Sequence, residues 1–126
     1  MMRGTLAALG ILWIFTGLSI FWDPKTFYEV TPGVSLLGPY SPHFLRDVGL
    51  VYLASGGMLI CATYQRNRAL ALAGLAWPVM HSFFHLHVWH HRGFPFDMIF
   101  AFDVLAVIAP PLIALALAIR IENTDG

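Results

Sequence analysis

Five of the six histidines of this 126-residue chain lie within eleven residues, at the end of an apolar segment. Imidazole is the commonest transition-metal ligand and proton carrier near neutral pH, and burying it in hydrocarbon without a partner is costly. This short stretch is therefore where we expect the protein to do its chemistry. The five residues are His81, His85, His87, His90 and His91.

Two of these histidines are spaced to share one face of a helix. His81 and His85 are four residues apart, so they can offer two imidazoles to one metal ion or one proton path. We expect the carboxylates of Asp47 and Asp103 to reach the same depth from neighbouring helices. Two imidazoles and two carboxylates form a mixed ligand set that suits Zn, Fe, Mn or Cu. Further candidate site residues are His43, Arg46, His87, His90 and His91.

The same side chains also fit interpretations without a metal. His81, His85 and Asp103 could form a proton relay or a hydrogen-bonded structural network. Asp47 lies near the start of its helix, so it could complement the helix dipole or pair with Arg46. The remaining histidines of the cluster are expected near the membrane interface, where they would face solvent or headgroups.

The composition points to a membrane rather than to water. Hydrophobic residues make up 58% of the chain and charged residues only 11%, and the mean hydropathy is +0.70. A soluble domain carries about a quarter charged residues. The net charge is zero, which argues against nucleic acid as a partner. Cys61 is the only cysteine, which excludes an internal disulfide, and we expect it to be a buried packing residue.

Four apolar segments are long enough to position these side chains across a membrane. Each is near or above the roughly 20 residues that a helix needs to cross ~30 Å of hydrocarbon, where backbone groups must pair internally. We therefore predict an all-α fold, an integral membrane bundle of four transmembrane helices in one domain over residues 1–126. The first segment lacks a signal-peptide cleavage site and is expected to remain as an anchor. The helices are predicted at about 4–22, 42–64, 68–91 and 98–121.

The connections carry cap and turn signals. Ser41, Asn67 and Asp97 suit the residue before a helix, and Gly93 suits the residue that ends one. Residues 23–41 form a long outer loop in this prediction, either a lid over a binding site or a solvated connection.

Small residues and prolines predict how the helices pack and bend. Pro78, Pro110 and Pro111 should kink the third and fourth helices. Glycines seven residues apart mark one face of helix 1 and one of helix 2, where small residues let helices approach closely. These are Gly10 and Gly17, and Gly49 and Gly56.

Charge at the two ends of the bundle gives a weak orientation signal. Four arginines against three basic residues place both termini in the cytoplasm and the histidine cluster outside the plasma or inner membrane. The first group is Arg3, Arg66, Arg68 and Arg120, and the second is Lys25, Arg46 and Arg92.

Two resemblances to known families bear on function. The spacing from His81 to His91 resembles the HxxxH and HxxHH boxes of membrane desaturases and hydroxylases, which hold two irons. The likeness covers eleven residues. Each residue turns a helix by about 100°, so on one continuous helix His87 faces away from His85 and the boxes cannot enclose one metal pair.

The second resemblance covers most of the chain, best from Arg46 to Ala118. The Arg-Asp-Val-Gly-Leu-Val-Tyr-Leu start of helix 2, a later Gly-Gly and the His-x-x-x-His of helix 3 look like the DoxX-like group of small four-helix prokaryotic membrane proteins. This resemblance implies the architecture first. Because some members are linked to quinone-coupled or thiol redox systems, it also implies a redox context.

Three functions follow as hypotheses, and whether the protein is an enzyme stays open. The first is a metal-binding or redox site for a lipophilic substrate such as a quinone. The second is an accessory or scaffold subunit of a larger membrane complex, or a homo-oligomer. The third is a proton or ion transport element, or a di-iron oxygenase fragment.

Overall fold

The computed structural model describes residues 1–122, and helices account for most of them. No strand occurs in this range, and four helical spans are long and apolar enough to cross a membrane, which confirms the all-α, four-helix prediction. The last four residues of the predicted domain lie outside the described range. The elements are α1 (Met2–Trp22), α2 (Pro24–Val30), a 3-10 turn (Val34–Leu36), α3 (Pro42–Gln65), α4 (Arg68–Arg92), α5 (Met98–Asp103), a π-helical turn (Val104–Ile108) and α6 (Ala109–Ala118).

The predicted caps begin and end these helices. Asn67 Oδ1 accepts the amide hydrogen of Leu70 at 2.9 Å, and Asp97 Oδ1 accepts that of Phe100 at 2.8 Å. Ser41 likewise caps α3, where Pro42 occupies the first turn. Gly93 ends α4 with φ of 74°, a conformation that glycine adopts without strain.

The four spans form a ring in which each contacts its neighbours. α1 packs chiefly on α3, α3 on α4, and α4 on α6, and α6 closes the ring against α1. The main hydrophobic core lies towards the end of the bundle that holds the α3–α4 turn, and Leu6, Leu59 and Leu75 are fully buried there. The histidine-bearing end of α4 lies at the opposite end of the bundle.

The closest helix pair, α1 with α3, depends on the predicted glycines. A Cβ atom added to Gly56 would lie 2.5 Å from the carbonyl oxygen of Gly10, and one on Gly17 would lie 2.6 Å from that of Gly49. Neither approach leaves room for a side chain, because backbone faces backbone at both places.

Two arginines join the ends of the same helix pair. Arg3 donates from Nε and Nη2 to the Thr63 carbonyl, at 3.0 and 2.8 Å. At the other end Arg46 Nε donates to the carbonyl of Phe21 at 3.2 Å. Each guanidinium thus satisfies a carbonyl that the last turn of the neighbouring helix leaves unpaired.

Proline reshapes the span that carries Asp103. Pro110 and Pro111 have no N–H, so the carbonyls of Ala106 and Val107 lose their usual helical donors. The backbone widens just before them into the π-helical turn, where the amide of Ala109 donates to Val104, five residues back.

Two details of the fold differ from the sequence-based expectation. The segment 23–41 is partly helical: Asp23 accepts from the amide of Thr26, Pro24 takes the first position, and α2 follows. The Asp-Pro pair is a cap and first-turn signal of the same kind as Ser41-Pro42. The prediction of a buried Cys61 was wrong, because its side chain lies exposed on the apolar outer surface of α3.

Candidate functional site

A buried carboxylate joins two of the helices at the histidine-bearing end. Asp103 Oδ2 lies 2.7 Å from His85 Nδ1 and accepts the indole hydrogen of Trp89 at 2.5 Å. The side chains of His85 and Asp103 are only 15% and 12% exposed. A carboxylate in an apolar surrounding is expensive unless it is paired, and these two donors supply the pairing.

Helical spacing on α4 explains why this group forms. His81, His85 and Trp89 follow one another at intervals of four, so they line one face and point towards the span that carries Asp103. The sequence-based site included both histidines and Asp103 but not Trp89. The four-residue interval from His85 was the signal that could have found it.

Aromatic rings enclose the histidine pair. The His81 ring stacks on Trp77 at 4.5 Å between centroids and meets His85 edge-on at 4.4 Å. Phe84 lies 6.0 Å from the His85 ring, and Tyr52 of α3 contacts Trp77 at 5.6 Å. The prediction that His81 and His85 share a face is confirmed, and their surroundings are mainly aromatic.

Ser82 holds α4 against the π-helical turn that follows Asp103. Its fully buried hydroxyl lies 2.9 Å from the carbonyl of Pro78, one turn back, and 3.0 Å from the carbonyl of Val107. Val107 is the residue whose helical donor is missing because Pro111 has no N–H. The single hydroxyl hydrogen of Ser82 lies within reach of both carbonyls, and sharing it with Val107 ties the span of Asp103 to that of His85.

Asp47 does not join this group, contrary to the expectation of four converging ligands. Its carboxylate pairs with His43 Nε2 at 3.4 Å within α3, and the two side chains are 57% and 91% exposed. Within residues 1–122 no three or more His, Cys, Asp or Glu side chains come close enough to hold one metal ion. The rotation of α3 turns Asp47 outwards, and spacing within one helix does not reveal that rotation.

The other candidate residues lie on the surface. His87, His90 and His91 are exposed, as expected, with the rings of His87 and His91 4.3 Å apart. α4 runs unbroken through all five histidines, so the two histidine boxes face different directions. Arg46 binds the end of α1 and takes no part in the site.

The hydrogen bonds define what the site can do chemically. The indole of Trp89 can only donate, so Asp103 Oδ2 acts as an acceptor. With His85 donating from Nδ1, its Nε2 keeps a lone pair that can accept a proton or bind a metal. The arrangement is a histidine oriented by a carboxylate, a common basis for proton transfer and for metal ligation.

No known protein-family model, curated protein or solved structure matches this chain.

Proposed function

We propose that this chain is an integral membrane protein that binds a lipophilic carbonyl or hydroxyl compound, such as a quinone or quinol, beside His85. The observation that carries the proposal is the short contact between His85 Nδ1 and Asp103 Oδ2, beside the aromatic rings that enclose the histidine pair. Polar side chains at membrane depth are rare and are commonly functional.

His85 supports both oxidation states of such a ligand. When Nε2 carries a proton it can donate to a quinone carbonyl, and when it does not it can accept from a quinol hydroxyl. Asp103 keeps the imidazole oriented in both cases and stabilises the imidazolium that forms when the ligand gives up its proton. The role we assign to this chain is ligand binding and proton exchange.

The surroundings of His85 suit an apolar ring system. Phe83 and Phe84 are exposed on the outer surface of α4, where lipid would lie, and Phe84 contacts the His85 ring. A ligand arriving through the bilayer would meet these rings first. Aromatic faces contribute about 0.5–1.5 kcal/mol per pair beyond the apolar area that they bury.

Binding of a short-chain quinone to protein reconstituted in nanodiscs tests the proposal, with tryptophan fluorescence quenching as the readout. We expect His85→Gln to weaken binding about tenfold or more, since a hydrogen bond to a charged group contributes about 1.5–3 kcal/mol. His87→Gln, on the exposed side of the same helix, is the matched control and should bind as the wild type does. Equal affinity of the two variants would contradict the proposal.

A metal ion is the second candidate ligand, favoured by the adjacent rings of His81 and His85. Zn, Fe, Mn or Cu could bind the two imidazoles while Asp103 orients His85, as carboxylates commonly do for metal-bound histidine. Elemental analysis of protein purified without chelators tests this hypothesis. A stoichiometric metal that disappears in His81→Gln would support it, and no metal in the wild type would exclude it.

A further inference from the structure

Three arginines surround a cavity at the end of the bundle farthest from His85. The start of α1 contributes Arg3, the end of α3 contributes Arg66, and the segment after α6 contributes Arg120. The cavity measures about 340 Å³, near the lower end of the ~300–1,000 Å³ typical of small-molecule sites. Glu122 is the one acidic side chain among the described residues that line it.

The cavity combines positive charge with an apolar wall. Met2 and Ile121 line it beside the arginines. Guanidinium groups bind phosphate with paired, charge-assisted hydrogen bonds. They are weakly hydrated, so removing their water costs little free energy. Such a lining suits a ligand that carries a phosphate on an apolar body.

One arginine is already held in place for such a ligand. Arg3 uses Nε and Nη2 to bind the Thr63 carbonyl, which fixes the plane of its guanidinium. A guanidinium has five N–H donors, so donors remain for a second partner. Arg66 adopts a left-handed conformation with φ of 50° at the end of α3, and this turn brings its side chain to the cavity.

The position of the cavity favours a phospholipid headgroup over a free phosphate ion. It lies where α1 begins and where α3 and α6 end, at one limit of the apolar spans. In a membrane this limit coincides with the headgroup layer. A free phosphate would use the arginines alone, whereas a phospholipid would also use Met2 and Ile121.

We infer that this cavity binds the phosphate headgroup of an anionic phospholipid. The inference rests on the proposed membrane insertion but is independent of the quinone or metal site. Interactions of this kind contribute about 1 kcal/mol per arginine near an anionic surface, which corresponds to about fivefold in affinity.

Native mass spectrometry of protein released from nanodiscs of mixed phosphatidylglycerol and phosphatidylcholine tests this inference. We expect phosphatidylglycerol to be enriched on the wild type and its retention to fall about fivefold in Arg66→Gln and in Arg120→Gln. Arg68→Gln is the matched control, because it removes the same charge from the same end without lining the cavity. Arg3 is left unchanged because it also holds α3.

Three results would overturn the inference. They are equal retention in all three variants, no preference for phosphatidylglycerol over phosphatidylcholine, and displacement of the lipid by millimolar inorganic phosphate, which would assign the cavity to a free anion. Co-elution of protein and nanodisc checks membrane insertion separately, so its failure is distinguishable from failure of the lipid site.

Discussion

His85 Nδ1 lies 2.7 Å from Asp103 Oδ2, and this contact joins α4 to α5 although 18 residues separate the two in sequence. Trp89 donates to the same oxygen, so one carboxylate of α5 binds two side chains of α4. Asp103 therefore fixes the orientation of the His85 ring at this end of the bundle.

Removing the indole donor should destabilise the protein. In Trp89→Phe the ring remains, but Asp103 loses a hydrogen bond in a buried setting, a change that costs about 1–3 kcal/mol. Unfolding of the detergent-solubilised protein, followed by circular dichroism, measures this loss. Trp22→Phe, at an exposed indole, is the control and should change stability little. Equal effects would show that the Asp103 contact contributes nothing.

The α1–α3 contact predicts opposite outcomes for two adjacent glycines. Gly56→Ala places a methyl group 2.5 Å from the carbonyl oxygen of Gly10, so the helices must separate at a cost of about 1–3 kcal/mol. Gly57→Ala meets open space and should be neutral or stabilising by about 0.5–1 kcal/mol, because alanine favours a helix. Thermal unfolding of both variants measures the contrast, and a destabilised Gly57→Ala would contradict the packing described.

We expect Ser82 to stabilise the protein through its hydrogen bond to Val107 rather than through the bond to Pro78 within its own helix. Ser82→Ala leaves the Val107 carbonyl without its side-chain donor, and we expect a loss of about 1–3 kcal/mol in the free energy of unfolding. Ser19→Ala is the matched control, since Ser19 also donates to a carbonyl four residues back but is exposed. Hydrogen exchange of the α6 amides should rise only in Ser82→Ala. If both variants behave alike, the hydrogen bond from Ser82 to Val107 contributes nothing to stability.

We expect low pH to destabilise α2 by protonating the carboxylate of its cap, Asp23. The amide of Thr26, which donates to the Asp23 carboxylate, lowers the pKa of Asp23 below its usual 3.8. The stabilisation is therefore complete above pH 3.8 and is lost as the pH falls through the lower, folded-state pKa. Hydrogen exchange across residues 24–30 should show this loss in the wild type. Asp23→Asn keeps the cap but cannot titrate, so its exchange should not show this acid-dependent loosening; the same acid response in both would contradict the assignment.

The proposed orientation has a direct chemical test. With Cys61→Ala as background, a membrane-impermeant maleimide should label Glu29→Cys on intact cells, because α2 lies at the end we place outside. Gln65→Cys, at the other end of the bundle, should react only after the membrane is opened. The reverse pattern would place the histidine cluster in the cytoplasm.

Part of the candidate site follows from spacing along one helix. His81 and His85 share a face because four residues make about one turn, and the structure places their rings side by side. Asp47 was expected to join them because it lies at a similar depth on a neighbouring helix. That prediction failed because the direction in which Asp47 points depends on how α3 is rotated against α1, which the glycine contacts decide.

Sequence alone determined the four spans from their apolar length, and the starts of three of them from the caps at Ser41, Asn67 and Asp97. These features depend on residues within a turn or two of one another, so local patterns specify them. Only the tertiary structure decided that Trp89 and His85 share Asp103 and that Ser82 reaches Val107. Those contacts depend on the depth and rotation of one helix against another, and these are set by close packing and by the proline-induced π-helical turn.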